Sequence, residues 1–276
     1  MKYADLKDSW ALVTGAADGI GLALADSFAA AGANMVLVDI RDEALESATA
    51  QLSKHGVEIR AEMADVSDRE AMIDLAARLA AGGIVPRMLW INAGVGAAAR
   101  LSDGKEKAIR WVYDVNLFGT IWTAQAFIPA MRELDASAHI GVTASSATLV
   151  PVDGPFPLYA ASKYATAAVG EGLMSELADS EIGVTILCPG LLNTGIWNSG
   201  RARPDRFGGA RELDDSAGEY WHQAKTPDIL AAPVKETVES GGGWCVVQTE
   251  PGTRDAFDGR NSARAAQWTD LSNNAE

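Results

Sequence analysis

The chain has 276 residues, with 23 Lys and Arg against 37 Asp and Glu for a formal net charge of −14, and 48% of its residues are hydrophobic. A chain of this length buries most of its apolar surface in a single core, so one domain over residues 1–276 is expected, with no need for disulfides or a structural metal. Two cysteines, Cys188 and Cys245, and three histidines exclude a multi-bridge scaffold and a four-cysteine zinc site, and no metal is expected. The acidic excess repels nucleic acid and anionic lipid. No run approaches the roughly 18 apolar residues of a membrane span, and the first residues lack the basic start and apolar stretch of a signal peptide. The expectation is a cytoplasmic, reducing setting with a small-molecule partner.

Strand-length apolar runs alternate with longer helical patterns from the N-terminus, the pattern of β-α-β units and hence of an α/β fold with a doubly wound parallel sheet. Residues 10–14 read as a first strand and 19–31 as a helix stopped by Gly32. Strands follow at 35–38, 57–62 and 87–91, with a helix at 43–53 and another after Ser67, where Ser67 and Glu70 have capping-box spacing. Further on come a helix over 109–131, a strand at 138–143, a helix over 158–179, a strand at 183–188 and a seventh strand at 244–248. Residues 191–225 break this alternation, rich in Gly, Arg and Asp and dotted with aromatics, and read as a functional lid. Residues 252–276 are polar and read as a loosely held tail.

Gly15, Gly19 and Gly21 lie between the first strand and first helix, where the chain must turn tightly and bring its backbone against a pyrophosphate. Asp39 closes the second strand, eighteen residues after Gly21. A carboxylate there accepts hydrogen bonds from both hydroxyls of an adenosine ribose and repels a 2′-phosphate, and Asp18 adds a second negative charge nearby. Both favour NAD over NADP. Arg41 is the opposing datum, and it reads as a partner of the neighbouring acids or a wall for the adenine.

Tyr159 and Lys163 stand four apart on an Ala-rich helix, so they project from one face. An isolated pair of this kind is usually ordinary helix surface. Its chemistry is nonetheless coherent: an ammonium beside a phenol favours the phenolate, bringing a poor base toward neutral pH.

Taken with Asp65-Val66, Asn92-Ala93-Gly94, Asn116, Ser145-Ser146 and Pro189-Gly190 before Thr194, these residues follow the order and spacing of the classical short-chain dehydrogenase/reductases, which the chain resembles over about residues 8–195. The resemblance implies a Rossmann-like sheet of seven strands, an NAD(P) cofactor, interconversion of an alcohol and a ketone, and a homodimer or homotetramer. It implies Tyr159 as general acid/base, Lys163 on the nicotinamide ribose, and Asn116 holding a proton-relaying water. Asp65 and Val66 would flank the adenine, with Ile40 beside Asp39, and Asn92, Ala93 and Gly94 would line the cofactor ribose. Ile20 belongs to the glycine turn, while Pro189 and Gly190 lead to Leu192 and Thr194 at the carboxamide. One departure is Ile91, where the family usually has a second Asn. Another is the serine that orients substrate: counting forward from His139-Ile140 selects Ser145, counting back thirteen from Tyr159 selects Ser146, and the more rigid strand side favours Ser145.

The substrate walls are the segment after the serine, 149–158, and the lid, 191–225. Val152, Phe156, Trp197 and Phe207 are their candidate substrate contacts, and these surfaces suit a bulky aromatic secondary alcohol better than a sugar. The run from Ser199 to Phe207 is similar to that of sphingomonad Cα-dehydrogenases acting on lignin-derived aryl ether alcohols. A hydroxysteroid or other hydrophobic-alcohol dehydrogenase is the alternative. A lyase or epimerase on the same fold and a non-catalytic NAD-binding regulator are the other readings; the intact Ser-Tyr-Lys-Asn set disfavours the regulator.

Overall fold

The structure is a computed structural model that describes residues 1–97, 100–150 and 156–268. Seven strands, β1 (Trp10–Thr14), β2 (Asn34–Asp39), β3 (Ile59–Met63), β4 (Pro86–Ile91), β5 (Ala138–Thr143), β6 (Ile182–Pro189) and β7 (Gly242–Val247), form one sheet in the order β3-β2-β1-β4-β5-β6-β7. Every pairing is parallel. Both faces are covered, which is why β5 is buried at all six positions and reads as a continuous run rather than an alternating one.

Helices α1 (Gly19–Ala30), α2 (Asp42–Leu52) and α8 (Ala231–Glu239) pack on one face; α3 (Arg69–Ala81), α5 (Gly119–Arg132) and α6 (Pro157–Glu176) pack on the other, and the single turn α7 (Glu219–His222) lies between β6 and α8. This is the expected Rossmann-like arrangement. The strand order reverses direction between β1 and β4, and the crevice outside the carboxyl ends at such a switch point is where ligands bind in these sheets. Trp90 is fully buried and lies against Gly141 of β5, where any Cβ would overlap its ring, and its indole donates to Thr143 Oγ1 at 3.0 Å. The same glycine therefore fixes the packing of two central strands.

Several expected elements shift. Strand β3 runs two residues later at its start than its apolar pattern suggests, because its register is set by β2, pairing Met35 with Ile59 and Asp39 with Met63. The cap of α3 is Asp68, which accepts from the amides of Glu70 and Ala71 at 3.1 and 3.2 Å; Ser67 turns back to Asp65 instead. The helix expected over 109–131 is divided: α4 (Glu106–Tyr113) passes through a π-turn at Asp114–Phe118 into α5. Helix α8, with Val234 and Val238 fully buried, had no expectation behind it. Residues expected as a loose tail form helix α9 (Thr253–Ala266), which follows Gly252 at φ +78° and sets Arg260 over the ring of Tyr164 at 5.2 Å.

Candidate active site

The turn after β1 is held to the end of β4 by the side chains of Thr14 and Asn92. Thr14 Oγ1 accepts from the amides of Asn92 and Ala93 at 3.0 and 3.1 Å, and Asn92 Nδ2 donates to the carbonyls of Thr14 and Gly15. Gly15, at φ +63°, passes so close to β4 that a Cβ would lie 2.9 Å from the Cα of Ala93. Gly19, at φ +53°, meets the side chain of Thr194 in the same manner. Such bare backbone is what a pyrophosphate requires. Gly21 is displaced from the role expected of it: a Cβ there would overlap the carbonyl of Gly15, so it packs α1 onto the turn behind the cleft. Ile91 is buried and apolar, and the Asn92 side chain ties the end of β4 to the turn after β1.

Asp39, at the end of β2, accepts from the amides of Ala17 and Arg41 at 3.2 and 3.1 Å and from Arg41 Nε at 3.3 Å. Arg41 Nη2 also lies 3.9 Å from Asp18, so it is the partner of both acids. Asp65 accepts from the amide and hydroxyl of Ser67. Ile40 and Val66 line the cleft beside these acids, and Ile20, Asn92, Ala93 and Gly94 line it nearer the glycine turn.

Helix α6 begins with Pro157, a residue pre-set for the first helical turn, and carries Tyr159 and Lys163 into the cleft. Lys163 Nζ stands 6.0 Å from the centre of the Tyr159 ring and donates to the carbonyl of Thr143 at 2.9 Å. Burial lowers the Lys163 ammonium to about 8. Burial also pushes the Tyr159 phenol above its ordinary value, opposed by a hydrogen bond with Ser145. Ser145 is the serine next to the phenol; it is buried and its hydroxyl accepts from the Ala147 amide at 3.2 Å. Ser146 lines the cleft too, on the first position of the short turn that Ser145 caps.

Asn116 lies beside Gly94, where a Cβ would come within 3.4 Å of its Oδ1 and 3.1 Å of Lys163 Nζ. It is fully buried in the π-turn, and its amide bonds both backbone groups of Val95 and donates to Ser162 Oγ at 2.9 Å. Its carbonyl already accepts from Thr120 and Thr166 at 2.8 and 2.9 Å. Ser162 in turn donates to the Tyr159 carbonyl at 2.7 Å. Asn116 thus reaches the tyrosine through Ser162, by packing and hydrogen bonds.

Gly15, Gly19, Asp65, Ser145, Tyr159 and Lys163 line one cleft of about 1330 Å³ running from Asp39 to Trp197, with Pro189, Gly190, Leu192 and Thr194 along the edge after β6. Phe156 and Trp197 line its far end, Trp197 standing edge-on to His222. Phe207 does not face the cleft. It is buried in the main core with Trp111, Val112 and Val115, because the chain turns inward after Pro204 and an apolar ring gains more from that core than from a wet cleft. Val152 lies outside the described residues.

The segment 191–225 closes on itself, Leu192 pairing with Lys225, and it lies across the cleft. Arg201 Nη2 bonds Asp18 at 2.8 Å, Arg206 Nη2 bonds Asp65 at 2.6 Å and Ser67 at 2.8 Å, and Ser199 Oγ both donates to and accepts from the backbone of Gly96. None of these three has a site role in the sequence reading beyond the run from Ser199 to Phe207. The signal for the two arginines is the cluster Arg201, Arg203, Arg206 and Arg211, the densest cationic stretch of an acidic chain.

A doubly wound sheet with a glycine turn, an acid ending β2 and a Ser-Tyr-Lys group over the switch point defines a Rossmann-type oxidoreductase. The chain matches the short chain dehydrogenase family over residues 9–205 and belongs to it. Among its relatives, a 1-deoxy-11-beta-hydroxypentalenate dehydrogenase of Streptomyces exfoliatus is 37% identical over 76% of this chain and 78% of its own. A C alpha-dehydrogenase of Sphingobium sp. is 32% identical over 85% and 79%, respectively. A short chain dehydrogenase/reductase from Burkholderia phymatum, solved in complex with NAD, superimposes with a TM-score of 0.85 at 28% identity, covering 97% of this chain and 99% of that one.

Proposed function

We propose that this enzyme oxidises a bulky, partly aromatic secondary alcohol to its ketone with NAD, or runs the reverse reduction. The observation that carries the reading is the convergence of Ser145, Tyr159 and Lys163 at one point of a cleft whose other end is Asp39. The residues fit a dinucleotide: the turn from Gly15 to Gly19 leaves room only for bare backbone, and the first amides of α1 have no side-chain cap. Asp39 would meet the adenosine ribose, Asp65 and Val66 the adenine, and Thr194 the carboxamide end. NAD, when bound, supplies the nicotinamide carbon that accepts a hydride.

Tyr159 takes the hydroxyl proton of the alcohol as the carbinol hydrogen departs with its electron pair, and returns that proton in the reduction. Ser145 donates to the substrate oxygen, stabilising the charge that develops there. Lys163, fixed by the Thr143 carbonyl, favours the phenolate once its ammonium is charged. Phe156 and Trp197 supply the apolar wall, and the lid spans 191–225. The resemblance of the run from Ser199 to Phe207 to the Cα-dehydrogenases, one of which is among the relatives, supports an aryl substrate. Exposed Trp244 and Val246 on β7, with Phe118 on the helical face, support a homo-oligomer.

The test is a screen of aryl, steroid and short aliphatic secondary alcohols with NAD and with NADP, following NADH or NADPH absorbance. Turnover of aryl carbinols with NAD is expected. Preference for steroids moves the substrate class, and substrate conversion without reduced cofactor means a lyase or epimerase.

A further inference from the structure

The N-cap of α1 behaves unlike the other acidic cap in a comparable helix. Asp is among the preferred N-cap residues because its carboxylate accepts from the amides of the first turn. Asp68 does this for α3, bonding Glu70 and Ala71. Asp18 has the extended backbone of an N-cap, φ −159° and ψ 163°, yet bonds no amide of α1. Its carboxylate is turned toward Arg201 Nη2 at 2.8 Å, with Arg41 Nη2 at 3.9 Å.

Arg201 is itself held. Its Nη1 donates to the carbonyls of Gly195 and Asn198, both at 2.9 Å, so the guanidinium is fixed to the segment after β6. The ion pair rests on the bare Cα of Gly195, where a Cβ would overlap both the carboxylate and the guanidinium. Asp18, Gly195 and Arg201 all line the cleft. A carboxylate on the first turn of α1 would occupy the amides, and the positive helix end, that an anionic diphosphate needs.

We propose that Arg201 is a positioning residue for the cofactor: it holds the Asp18 carboxylate off the N-terminus of α1 and keeps those amides open to the diphosphate. The proposal rests on the NAD reading above. Removing the guanidinium frees Asp18 to cap the helix and to compete with the diphosphate by occupancy and by charge.

The experiment is titration calorimetry of NAD, ADP-ribose and adenosine against the unsubstituted enzyme, Arg201→Ala and the double variant Asp18→Ala/Arg201→Ala, with thermal unfolding of each. Arg201→Met, which keeps the aliphatic stem over Gly195, carries the same expectation where the alanine variant is poorly folded. The expected result is a loss of about tenfold for NAD and ADP-ribose with little change for adenosine, and recovery of most of that loss in the double variant. Rescue by deleting Asp18 is something a merely structural arginine would not show. Unchanged binding in Arg201→Ala overturns the proposal, and so does a double variant as weak as the single one, which would mean direct contact or collapse of the segment. Failure of the unsubstituted enzyme to bind NAD overturns the cofactor reading, and this proposal with it.

Discussion

Lys163 reaches across from α6 to the carbonyl of Thr143, 2.9 Å away, and so ties the tyrosine-bearing helix to the end of β5, two residues before Ser145. One bond therefore sets the spacing between the proton donor's helix and the serine's strand. Lys163→Ala is expected to lower both kcat and NAD affinity, whereas Tyr159→Phe should abolish turnover and leave NAD binding within a few-fold of the unsubstituted enzyme. Substantial turnover by the phenylalanine variant would assign the proton to another group.

The rate should climb with pH. Burial raises the Tyr159 phenol above its ordinary value, so the basic phenolate forms only as pH rises, and alcohol oxidation needs that base. A profile of kcat/KM against pH should rise through the alkaline range. A profile flat from pH 7 to 10 would mean that proton transfer to Tyr159 does not limit the step.

Ser145 and Ser146 can be separated by single substitutions. Of the two hydroxyls it is that of Ser145 that holds the phenol's pKa down, so Ser145→Ala should cost on the order of a hundredfold in kcat and Ser146→Ala far less. Reversal of this ranking reassigns the substrate-orienting hydroxyl.

Trp197 and Phe207 are expected to respond differently. Trp197 lines the cleft, so Trp197→Ala should raise KM roughly tenfold or more for large aryl alcohols and little for small ones. Phe207 is a core residue packed with Trp111, so Phe207→Ala should lower stability by about 3 kcal/mol or more, affecting all substrates alike. A substrate-selective effect of Phe207→Ala would put its ring back in the cleft.

His139 makes stability depend on pH. It is fully buried on β5, bonds Thr185 of β6 at 2.8 Å, and burial lowers its imidazolium to about 3. Between that value and the ordinary 6.5 the unfolded chain binds a proton that the native chain does not, so stability falls as pH drops through this window, by about 1.4 kcal/mol per pH unit at most. His139→Gln should flatten the acid limb of a denaturation series; an unchanged limb would place the acid sensitivity in the carboxylates.

Sequence by itself carried what is local and periodic. The apolar runs of β1, β2, β4, β5 and β6 were legible, because a run buried on both faces must be apolar throughout, while the edge strands β3 and β7 are only partly buried. The glycines of 15–19 and the pair Tyr159 and Lys163 were legible because one needs bare backbone and the other needs one helical turn of separation. Contacts between residues far apart in the chain were decided only by the tertiary structure. Phe207 shares the lid's composition with Trp197, yet one ring enters the core and the other the cleft, since only the course of the chain after Pro204 says which surface lies beneath. Asn116 matches a motif, but its bonds to both backbone groups of Val95 and to Ser162 exist only once the π-turn has formed. The pairing of Arg201 with Asp18, across 183 positions, has no periodicity to announce it; it arises because the segment after β6 crosses the turn after β1, and opposite charges there find each other only once the sheet has formed.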